Sequence, residues 1–363
     1  MSETSSMLLI GVGGSGSAIA RGVSRAFGEG LRFAMIDTDA STGELGGNFL
    51  LIGGDRLSGR GTGGNIVTAK TAFDDSRDAI DKFLEGVRTA VVVTSLGGGT
   101  GGGATCQLAR LLAGRGIRSI VFATTPFQFE GENRQRSARS VMSLIAADAD
   151  ASFFLPLDRL ADGADRMDDA MRRAVDTVAS GITLFWRLVE KPGYIKLDPE
   201  RVRDLIGGAG RGRFATFGAQ GPNRAAEIVE AAAKSEMLAG DTPAKSILCG
   251  ILAGEDLRLS EISRIADGIR EAFGRNASFE LSTVNDEETF TGRISAVVML
   301  FEGNGRGTDS ENTGGRRAGR RVRNILSVGP QGRGRFSNSE PTLRGDEDLD
   351  IPTYVRKDID LDY

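Results

Sequence analysis

The sequence predicts an α/β protein, in which a parallel-sheet domain is followed by a long central helix and a smaller α/β domain. Two observations carry this prediction. Short apolar runs alternate with helical patterns in both halves of the chain, which favours strands joined by helical crossovers. Between the halves, an apolar stripe at helical spacing continues without interruption from Arg166 to Val189.

Apolar runs in the first half predict the buried strands of a parallel sheet, because such strands are covered on both faces. In order, the runs are SMLLIGVGG, LRFAMIDTD, TAVVVTSL, RSIVFATTPF and ASFFLPLD. Helical patterns follow the first and third of them, SAIARGVSRAF and ATCQLARLLAGRG. A strand, a glycine-rich turn and a helix therefore occur twice in this order, which is typical of a doubly wound sheet.

The central helix is predicted from a segment that has no proline and whose first glycine is Gly181. Its apolar residues recur at alternating spacings of four and three: Met171, Val175, Val178, Ile182, Phe185 and Val189. This spacing places them on one buried stripe. We expect the helix to end at EKPGY, because proline and glycine interrupt a helix.

The rest of the chain predicts a smaller α/β domain, a linker and a tail. Helical patterns occur at DPERVRDLI, NRAAEIVEAAAKSEML and LSEISRIADGIREAF, and strand patterns at AKSILCGILAG, ASFELSTV and RISAVVMLFEG. The expected segments are 1–165 for the first domain, 166–192 for the central helix, 193–303 for the second domain, 304–345 for a disordered Gly- and Arg-rich linker, and 346–363 for a tail. The tail regains apolar residues in DEDLDIPTYVRK, which favours partner binding over an unused end.

Composition excludes several classes of function. The formal net charge of −4 and the pI near 5.3 argue against a nucleic-acid partner. No apolar stretch reaches membrane-spanning length, so we expect a cytoplasmic protein without direct membrane insertion. Cys106 and Cys249 give neither a disulfide framework nor metal-ligand spacing, and no protein metal site is predicted. Histidine is absent, so catalysis would depend on carboxylates, lysine, hydroxyls or a nucleotide-bound metal.

Two glycine-rich segments each follow a predicted strand and open a predicted helix. They are GVGGSGSA, Gly11–Ala18, and SLGGGTGGGATC, Ser95–Cys106. Free N–H groups and the helix dipole attract anions at such a point, and missing side chains let phosphate oxygens approach the backbone. The first segment also fits the dinucleotide pattern GxGxxG, and the end of the second strand, IDTDA, supplies an acid for a ribose. A Rossmann-type dinucleotide enzyme is therefore an alternative.

Thr100 and a third glycine segment favour a nucleoside di- or triphosphate over a dinucleotide. A hydroxyl among amide groups suits a phosphate or a metal-bound water. The third segment, GRGTGGN at Gly59–Asn65, would close over a terminal phosphate. Glycines that held no ligand would have no packing value, so their number also argues for bound phosphate.

These motifs resemble those of the FtsZ family within the tubulin superfamily. GGGTGGG is similar to the tubulin signature that cradles the phosphates of GTP. GVGGSGSA, DTDA, GTGGN and TPFQFEGENRQRSA resemble, in order, the nucleotide loops of FtsZ. EKPGYIKLDPERV, NRAAEIVEAA and ILAGEDLRLSEI continue the resemblance, and GDEDLDIPTYVRK resembles the tail peptide that docks on membrane tethers. The resemblance covers nearly the whole chain except the linker.

The resemblance implies a tubulin/FtsZ-like fold with GTP or GDP on the first domain, Mg²⁺ as an optional companion ion, and head-to-tail filaments of identical subunits. Membrane tethers or division proteins would bind the tail. The implied nucleotide contacts are Gly13, Gly14, Ser15, Gly16, Asp39, Thr62, Gly63, Gly64, Asn65, Gly97, Gly98, Gly99, Thr100, Gly101, Gly102, Glu130 and Arg134. For Glu130 and Arg134, an exposed helical ion pair is the alternative interpretation.

The chain departs from the family at the guanine base and at the catalytic loop. Ala18, Leu157 and Val175 stand where the family has asparagines, and Met171 stands where it has a phenylalanine that stacks on the base. Alkyl side chains cannot pair with the guanine edge. The family's catalytic pattern NxDxxD, which a second subunit supplies, is here Lys196 to Arg201.

Within that loop, only Asp198 matches a family carboxylate. The catalytic candidates are Asp198, Glu200 beside the altered position, and Arg201 as a cation for transition-state charge. Lysine and arginine cannot act as bases at neutral pH, so we expect slow or absent GTP hydrolysis.

A fully active polymerising GTPase with an altered base site is one alternative. A non-polymerising regulator of an ordinary FtsZ is another.

Overall fold

The structure, a computed structural model, describes residues 6–161, 166–191 and 193–303, together with 343–344 and 347–348. The chain divides into two units, of which the first ends at Ser310. From the second unit only Leu343–Arg344 and Glu347–Asp348 are described, and they pair as a short antiparallel ladder. The predicted linker and tail otherwise lie outside the described residues.

Ten strands of the first unit form one sheet. They are β1 (Met7–Val12), β2 (Phe33–Asp37), β3 (Phe49–Leu51), β4 (Thr89–Ser95), β5 (Arg118–Thr125), β6 (Ala151–Pro156), β7 (Gly210–Gln220), β8 (Ser246–Ala253), β9 (Ser278–Asn285) and β10 (Arg293–Phe301). Their order across the sheet is β3-β2-β1-β4-β5-β6-β7-β10-β8-β9. Neighbours from β3 to β7 are parallel, β10 is antiparallel to both β7 and β8, and β9 is parallel to β8.

The α-helices lie between these strands in the chain. They are α1 (Gly13–Phe27), α2 (Gly54–Leu57), α3 (Ile66–Asp75), α4 (Arg77–Phe83), α5 (Gly99–Gly114), α6 (Glu132–Asp148), α7 (Leu157–Leu160), α8 (Met167–Glu190), α9 (Pro199–Ile206), α10 (Arg224–Ala233), α11 (Leu259–Phe273) and α12 (Glu287–Phe290). The α/β class, the parallel sheet of the first half, the long central helix α8 and the α/β second half are confirmed.

Alternate residues of the central strands enter two separate cores, because successive side chains of a strand point to opposite faces. Leu9 and Val91 pack with α1 and α8 on one face, whereas Ile10 and Val92 pack with α5 and α6 on the other. Both faces of the parallel sheet are therefore covered, and its central strands are mostly apolar.

Helix α8 has the predicted buried stripe from Val178 onward, whereas Met171 and Val175 are only half-buried. The buried face is also wider than the spacing indicates. Val178, Ile182, Phe185 and Val189 are buried as expected, and Trp186 is buried as well. Wider burial follows from packing on two sides, since α8 contacts both α1 and strands of the second half. The helix therefore joins the two halves of the sheet.

The elements predicted above lack two strands and six helices of the structure: β3, β7, α2, α3, α4, α6, α7 and α12. The sequence of β7, GRGRFATFGAQ, lacks an apolar run because glycine and arginine interrupt it. Glycine is needed there, since a Cβ on Gly212 would lie 2.6 Å from the Leu300 carbonyl oxygen. Phe214 supplies the core contact instead, with its ring 5.0 Å from that of Phe122.

Candidate functional site

A cleft of about 880 Å³ opens at the carboxyl edge of the parallel sheet, beyond the ends of β1, β2, β4 and β6. Ligands of open α/β sheets bind at this edge. Most of the predicted nucleotide contacts line the cleft: Gly13, Gly14, Ser15, Asp39, Thr62, Gly63, Gly64, Gly97, Gly98, Gly99, Thr100, Gly101, Glu130 and Arg134. The fold therefore brings together residues that are up to about a hundred and twenty positions apart in the chain.

Two helices begin inside this cleft. Helix α1 starts at Gly13, directly after β1, and α5 starts at Gly99, after the short turn that follows β4. Their free N–H groups and positive dipole ends meet at the floor of the cleft, where they favour a bound anion. Gly99 to Gly103 thus form the first turns of α5 rather than a loop before it.

Some of the glycines are required by packing, contrary to the expectation that they have no packing value without a ligand. A Cβ on Gly16 would lie 2.4 Å from the Val93 carbonyl oxygen, and one on Gly101 would lie 2.2 Å from that of Ser95. On Gly99 it would lie 2.7 Å from the Asn65 backbone nitrogen. These glycines let strands and helices approach closely, so their presence does not report a ligand.

Other glycines of the same segments face open space. A Cβ on Gly63, Gly64 or Gly98 would have no neighbour within 4 Å, and one on Gly14 would lie 3.9 Å from an Asp37 carboxylate oxygen. Packing gives no reason for glycine at Gly14 and Gly98, whose backbone φ is not in the left-handed region. A side chain there would occupy the cleft itself, which is the property expected of a phosphate cradle.

Gly16, Gly102 and Asn65 were predicted as nucleotide contacts, but they do not line the cleft. Gly102 is buried, and a Cβ there would lie 3.2 Å from Val141. The Asn65 side chain caps α3 by accepting hydrogen bonds from the backbone of Val67 at 2.9 Å. Its amide oxygen is therefore used within the chain, as is common for asparagine at a helix start.

Threonine hydroxyls tie the glycine turns to the strands. The Thr100 Oγ1 lies 2.7 Å from that of Thr38, at the end of β2, and both side chains are buried. Thr94 Oγ1 lies 3.0 Å from the carbonyl oxygen of Gly101 and 3.2 Å from that of Val12. Thr100 thus holds the start of α5 against the neighbouring strand end, in addition to lining the cleft.

Two aspartates lie at the β2 end of the cleft. Burial raises the pKa of Asp37, although hydrogen bonds from the Thr42 hydroxyl at 2.7 Å and the Thr38 N–H at 2.7 Å counteract it. Hydrogen bonds from Ser41 lower the pKa of Asp39. Sequence reasoning named Asp39 but missed Asp37, which IDTDA contains two positions earlier.

Glu130 and Arg134 lie on another wall of the cleft and form an ion pair with each other. Glu130 also accepts a hydrogen bond from the Phe127 N–H at 2.8 Å. Glu130 and Arg134 thus form an ion pair at the start of α6 and also line the cleft. A helical ion pair and a nucleotide contact are therefore compatible interpretations of these two residues.

The β6 end of the cleft is apolar. Leu157, Met167 and Met171 line it, and Leu157 and Met171 belong to a small core cluster with Phe127. Ala18 and Val175 do not line the cleft. Val175 packs instead against the main core. Of the apolar residues that line this end, Leu157 stands where the family has an asparagine and Met171 where it has a phenylalanine.

The predicted catalytic residues Asp198, Glu200 and Arg201 lie at the opposite edge of the sheet. Glu200 forms an ion pair at 2.9 Å with Arg88, the residue just before β4. The glycine turn of α5 follows the other end of this strand, whose length is about 20 Å. The two predicted parts of the active site are therefore separated within one chain.

At that edge, Asp198 and Glu200 have partners in their own chain. The Asp198 carboxylate accepts the Glu200 N–H at 2.8 Å and caps α9. Glu200 pairs with Arg203 at 2.9 Å as well as with Arg88. Lys196 and Arg201 are exposed, and neither forms an ion pair within the described part of the chain.

The segment before α9 is attached to β9, the edge strand of the sheet. The Thr283 N–H donates to the Ile195 carbonyl at 2.8 Å, and the Ile195 N–H donates to the Thr283 hydroxyl at 2.9 Å. The Tyr194 N–H donates to the Asn285 side chain at 3.2 Å. A Cβ on Gly193 would lie only 1.7 Å from the Thr283 carbonyl oxygen, so this close approach requires glycine.

The described residues contain neither a helix suited to span a membrane nor a cluster of metal-ligating side chains. None of their helices is both long enough and apolar enough to cross a membrane. In the same residues, no group of three or more Asp, Glu or Cys side chains is placed to hold a metal ion.

Comparisons with known proteins agree with this architecture. Residues 6–165 match the model of the Tubulin/FtsZ family GTPase domain, and residues 210–301 match that of the FtsZ family C-terminal domain. The cell division protein FtsZ of Pseudomonas putida is 31% identical over 287 residues, which cover 77% of this chain and 72% of that protein.

Solved structures show the same fold. An empty FtsZ dimer from M. jannaschii has a TM-score of 0.77 at 23% identity, covering 81% of this chain and 87% of that one. A GTPγS-bound protofilament of CetZ2 from Haloferax volcanii has a TM-score of 0.70 at 22% identity, covering 81% and 92%. Together with the sequence matches, they establish that this chain belongs to the FtsZ family of the tubulin superfamily.

Proposed function

We propose that this protein binds GTP or GDP in the cleft, assembles head-to-tail into filaments that act in cell division or membrane remodelling, and hydrolyses GTP slowly. The observation that carries the proposal is the separation of two half-sites on opposite edges of one sheet. The cleft with its open glycines lies on one edge, and a loop with charged side chains lies on the other.

Nucleotide binding is supported by the shape and chemistry of the cleft. The open glycines Gly14 and Gly98 leave room for phosphate beside the starts of α1 and α5. Backbone N–H groups there would hold the phosphate oxygens, and Thr100 would add a hydroxyl. Bound GTP supplies the phosphoanhydride to be cleaved, and Mg²⁺ could accompany it beside Asp37 and Asp39.

Head-to-tail assembly is supported by apolar side chains on both edges. Met167 lines the cleft and is 50% exposed, and Phe129, 69% exposed, is adjacent to Glu130. On the loop that contains Lys196, Tyr194 is 66% exposed. A heterologous contact joins two different surfaces of the same chain and generates an open filament when it does not close into a ring. CetZ2, whose solved structure is a protofilament, has the same fold as this chain.

Slow hydrolysis is supported by the charges of the loop that a neighbouring subunit would present. Glu200 is engaged by Arg88 and Arg203, and the Asp198 carboxylate caps a helix. The side chains left free are the cations Lys196 and Arg201, which can pair with phosphate but cannot take a proton from water at neutral pH. The loop would therefore strengthen subunit contact more than it activates water.

Assembly and turnover can be tested together. We expect GTP to give polymer that sediments, with phosphate release so slow that the polymer outlasts the assay. The double change Lys196→Asn and Arg201→Asp restores the family pattern and should raise phosphate release at least about a hundredfold, the lower end of a general-base effect.

Matched controls separate the two claims. Arg264→Asp, an exposed substitution on α11, should leave the release rate unchanged. Brisk phosphate release by the wild type that disappears in Asp198→Ala would refute slow hydrolysis. Failure of the wild type to sediment with any guanine nucleotide would refute assembly and favour a regulator of an ordinary FtsZ.

The tail is proposed to bind a membrane tether or another division protein from a cytoplasmic location, and most of it lies outside the described residues. Deletion of 346–363 should abolish recruitment of a fluorescent fusion to its cellular site without changing sedimentation of the purified protein. Recruitment that survives the deletion would refute this role.

A further inference from the structure

The cleft has a direction, which the strand order defines. Its apolar end lies past β6, its helix starts lie past β1 and β4, and its aspartates lie past β2. A base fits the apolar end and phosphates fit the helix starts. The terminal phosphate of a nucleotide bound in this direction must therefore point toward β2 and the turn that contains Gly61 to Gly64.

The β2 end carries negative charge that a terminal phosphate would meet. Asp37 and Asp39 both line the cleft there, and their hydrogen bonds come from neutral groups of the same turn. A triphosphate puts more charge at this end than a diphosphate does. Binding of a triphosphate therefore needs a cation at the β2 end.

Arg60 lies at this end and lines the cleft. Its backbone forms an antiparallel bridge with Asp39, and the flanking residues hold it in place. The Ala40 N–H donates to the Gly59 carbonyl at 2.9 Å, and the Gly61 N–H donates to the Thr38 carbonyl at 3.1 Å. The position of Arg60 is thus fixed by the strand end that presents the aspartates.

The Arg60 guanidinium is available for a ligand. The side chain is exposed, and it forms no ion pair with any residue in the described ranges. Arg134, the other arginine that lines the cleft, is engaged by Glu130. A guanidinium presents several N–H donors in a planar fork that matches two phosphate oxygens.

We propose that Arg60 pairs with the terminal phosphate of the nucleotide bound in the same chain, and so makes the cleft prefer a triphosphate to a diphosphate. This inference rests on the proposed nucleotide binding. It assigns to the chain's own cleft a positive charge that neither the glycine turns nor the neighbouring subunit's loop supplies.

The test compares the affinities of GTP and GDP in titrations of the full chain. Arg60→Gln should weaken GTP binding by about tenfold or more, the effect of one charged hydrogen bond, and leave GDP within about twofold. Arg60→Lys should recover part of the GTP affinity, because it restores the charge without the fork. The result should hold with Mg²⁺ and with a chelator, if the cation is the arginine.

Arg56→Gln is the matched control, since Arg56 is exposed four residues earlier and pairs with Asp75 outside the cleft. It should change neither affinity, and the thermal stability of both variants without nucleotide should equal that of the wild type. If Arg60→Gln lowers the affinities for GTP and GDP equally, or lowers neither, the inference about Arg60 is overturned and nucleotide binding is not. A wild type that binds neither nucleotide would overturn nucleotide binding and this inference with it.

Discussion

Gly101→Ala is expected to lower the free energy of unfolding by about 3 kcal/mol or more, whereas Gly98→Ala should change it by at most about 1 kcal/mol. The two positions lie in one glycine segment but have different surroundings. A methyl group on Gly101 would overlap the Ser95 carbonyl oxygen at 2.2 Å, and backbone cannot move aside cheaply. A methyl group on Gly98 would have no neighbour within 4 Å and would project into the cleft.

The effect on ligand binding should be the reverse. Gly98→Ala should weaken GTP binding by about tenfold or more, because its methyl group competes with phosphate for the same space. Urea denaturation without nucleotide and GTP titration of each variant provide the measurements. Gly114→Ala, at the exposed far end of α5 with open space around it, is the control. It should leave GTP binding unchanged and raise the free energy of unfolding by at most about 1 kcal/mol, the difference in helix propensity. Tight GTP binding by Gly98→Ala would exclude the open glycines as the phosphate cradle.

Arg224→Met is expected to lower the free energy of unfolding by about 3–5 kcal/mol, as removal of one partner from a buried ion pair does. The Arg224 side chain is only 5% exposed and contacts Glu261 at 2.8 Å and Asp256 at 2.7 Å. These contacts join α10 to the start of α11. Without the arginine, the largely buried Glu261 carboxylate loses its charged partner.

The dependence of stability on pH gives the second measurement. The hydrogen bond from Arg224 holds the pKa of Glu261 below its ordinary value of about 4.3. Stability from this pair is therefore fully present above that ordinary value and is lost as pH falls through the lower folded pKa. Arg224→Met should flatten this acid limb. Arg264→Met, an exposed change on α11, should cost no more than about 0.5 kcal/mol. An acid limb unchanged in Arg224→Met would contradict the assignment.

Sequence patterns predict the strands on which the cleft is built because parallel strands are buried on both faces. A short run of β-branched and apolar residues such as TAVVVTSL therefore indicates a buried strand. Strand β7 could not be found in this way, since Gly212 is dictated by the neighbouring Leu300 backbone, which is distant in the chain. A residue that is chosen by a long-range contact carries no local periodicity.

The same limit applies inside the site. The sequence identifies the glycine segments, but Gly98 and Gly101 look equivalent until the backbone of Ser95 is placed beside one of them. Asn65 has the chemistry of a ligand and acts as a helix cap. No local sequence pattern marks Arg60 as a cleft residue, because the backbone bridge to Asp39 is what places it beside the aspartates.

The attachment of the loop to β9 has a consequence for the concentration at which the proposed filaments would form. Tyr194 and Ile195 are already fixed by backbone hydrogen bonds before a second copy arrives. Ordering a flexible residue costs about 1–2 kcal/mol, and a loose loop would add that cost to every new subunit contact. A prefixed loop avoids it, so the critical concentration for assembly falls. Gly193, which permits the attachment, would thereby influence nucleation of the proposed filaments without touching the nucleotide of the neighbouring subunit.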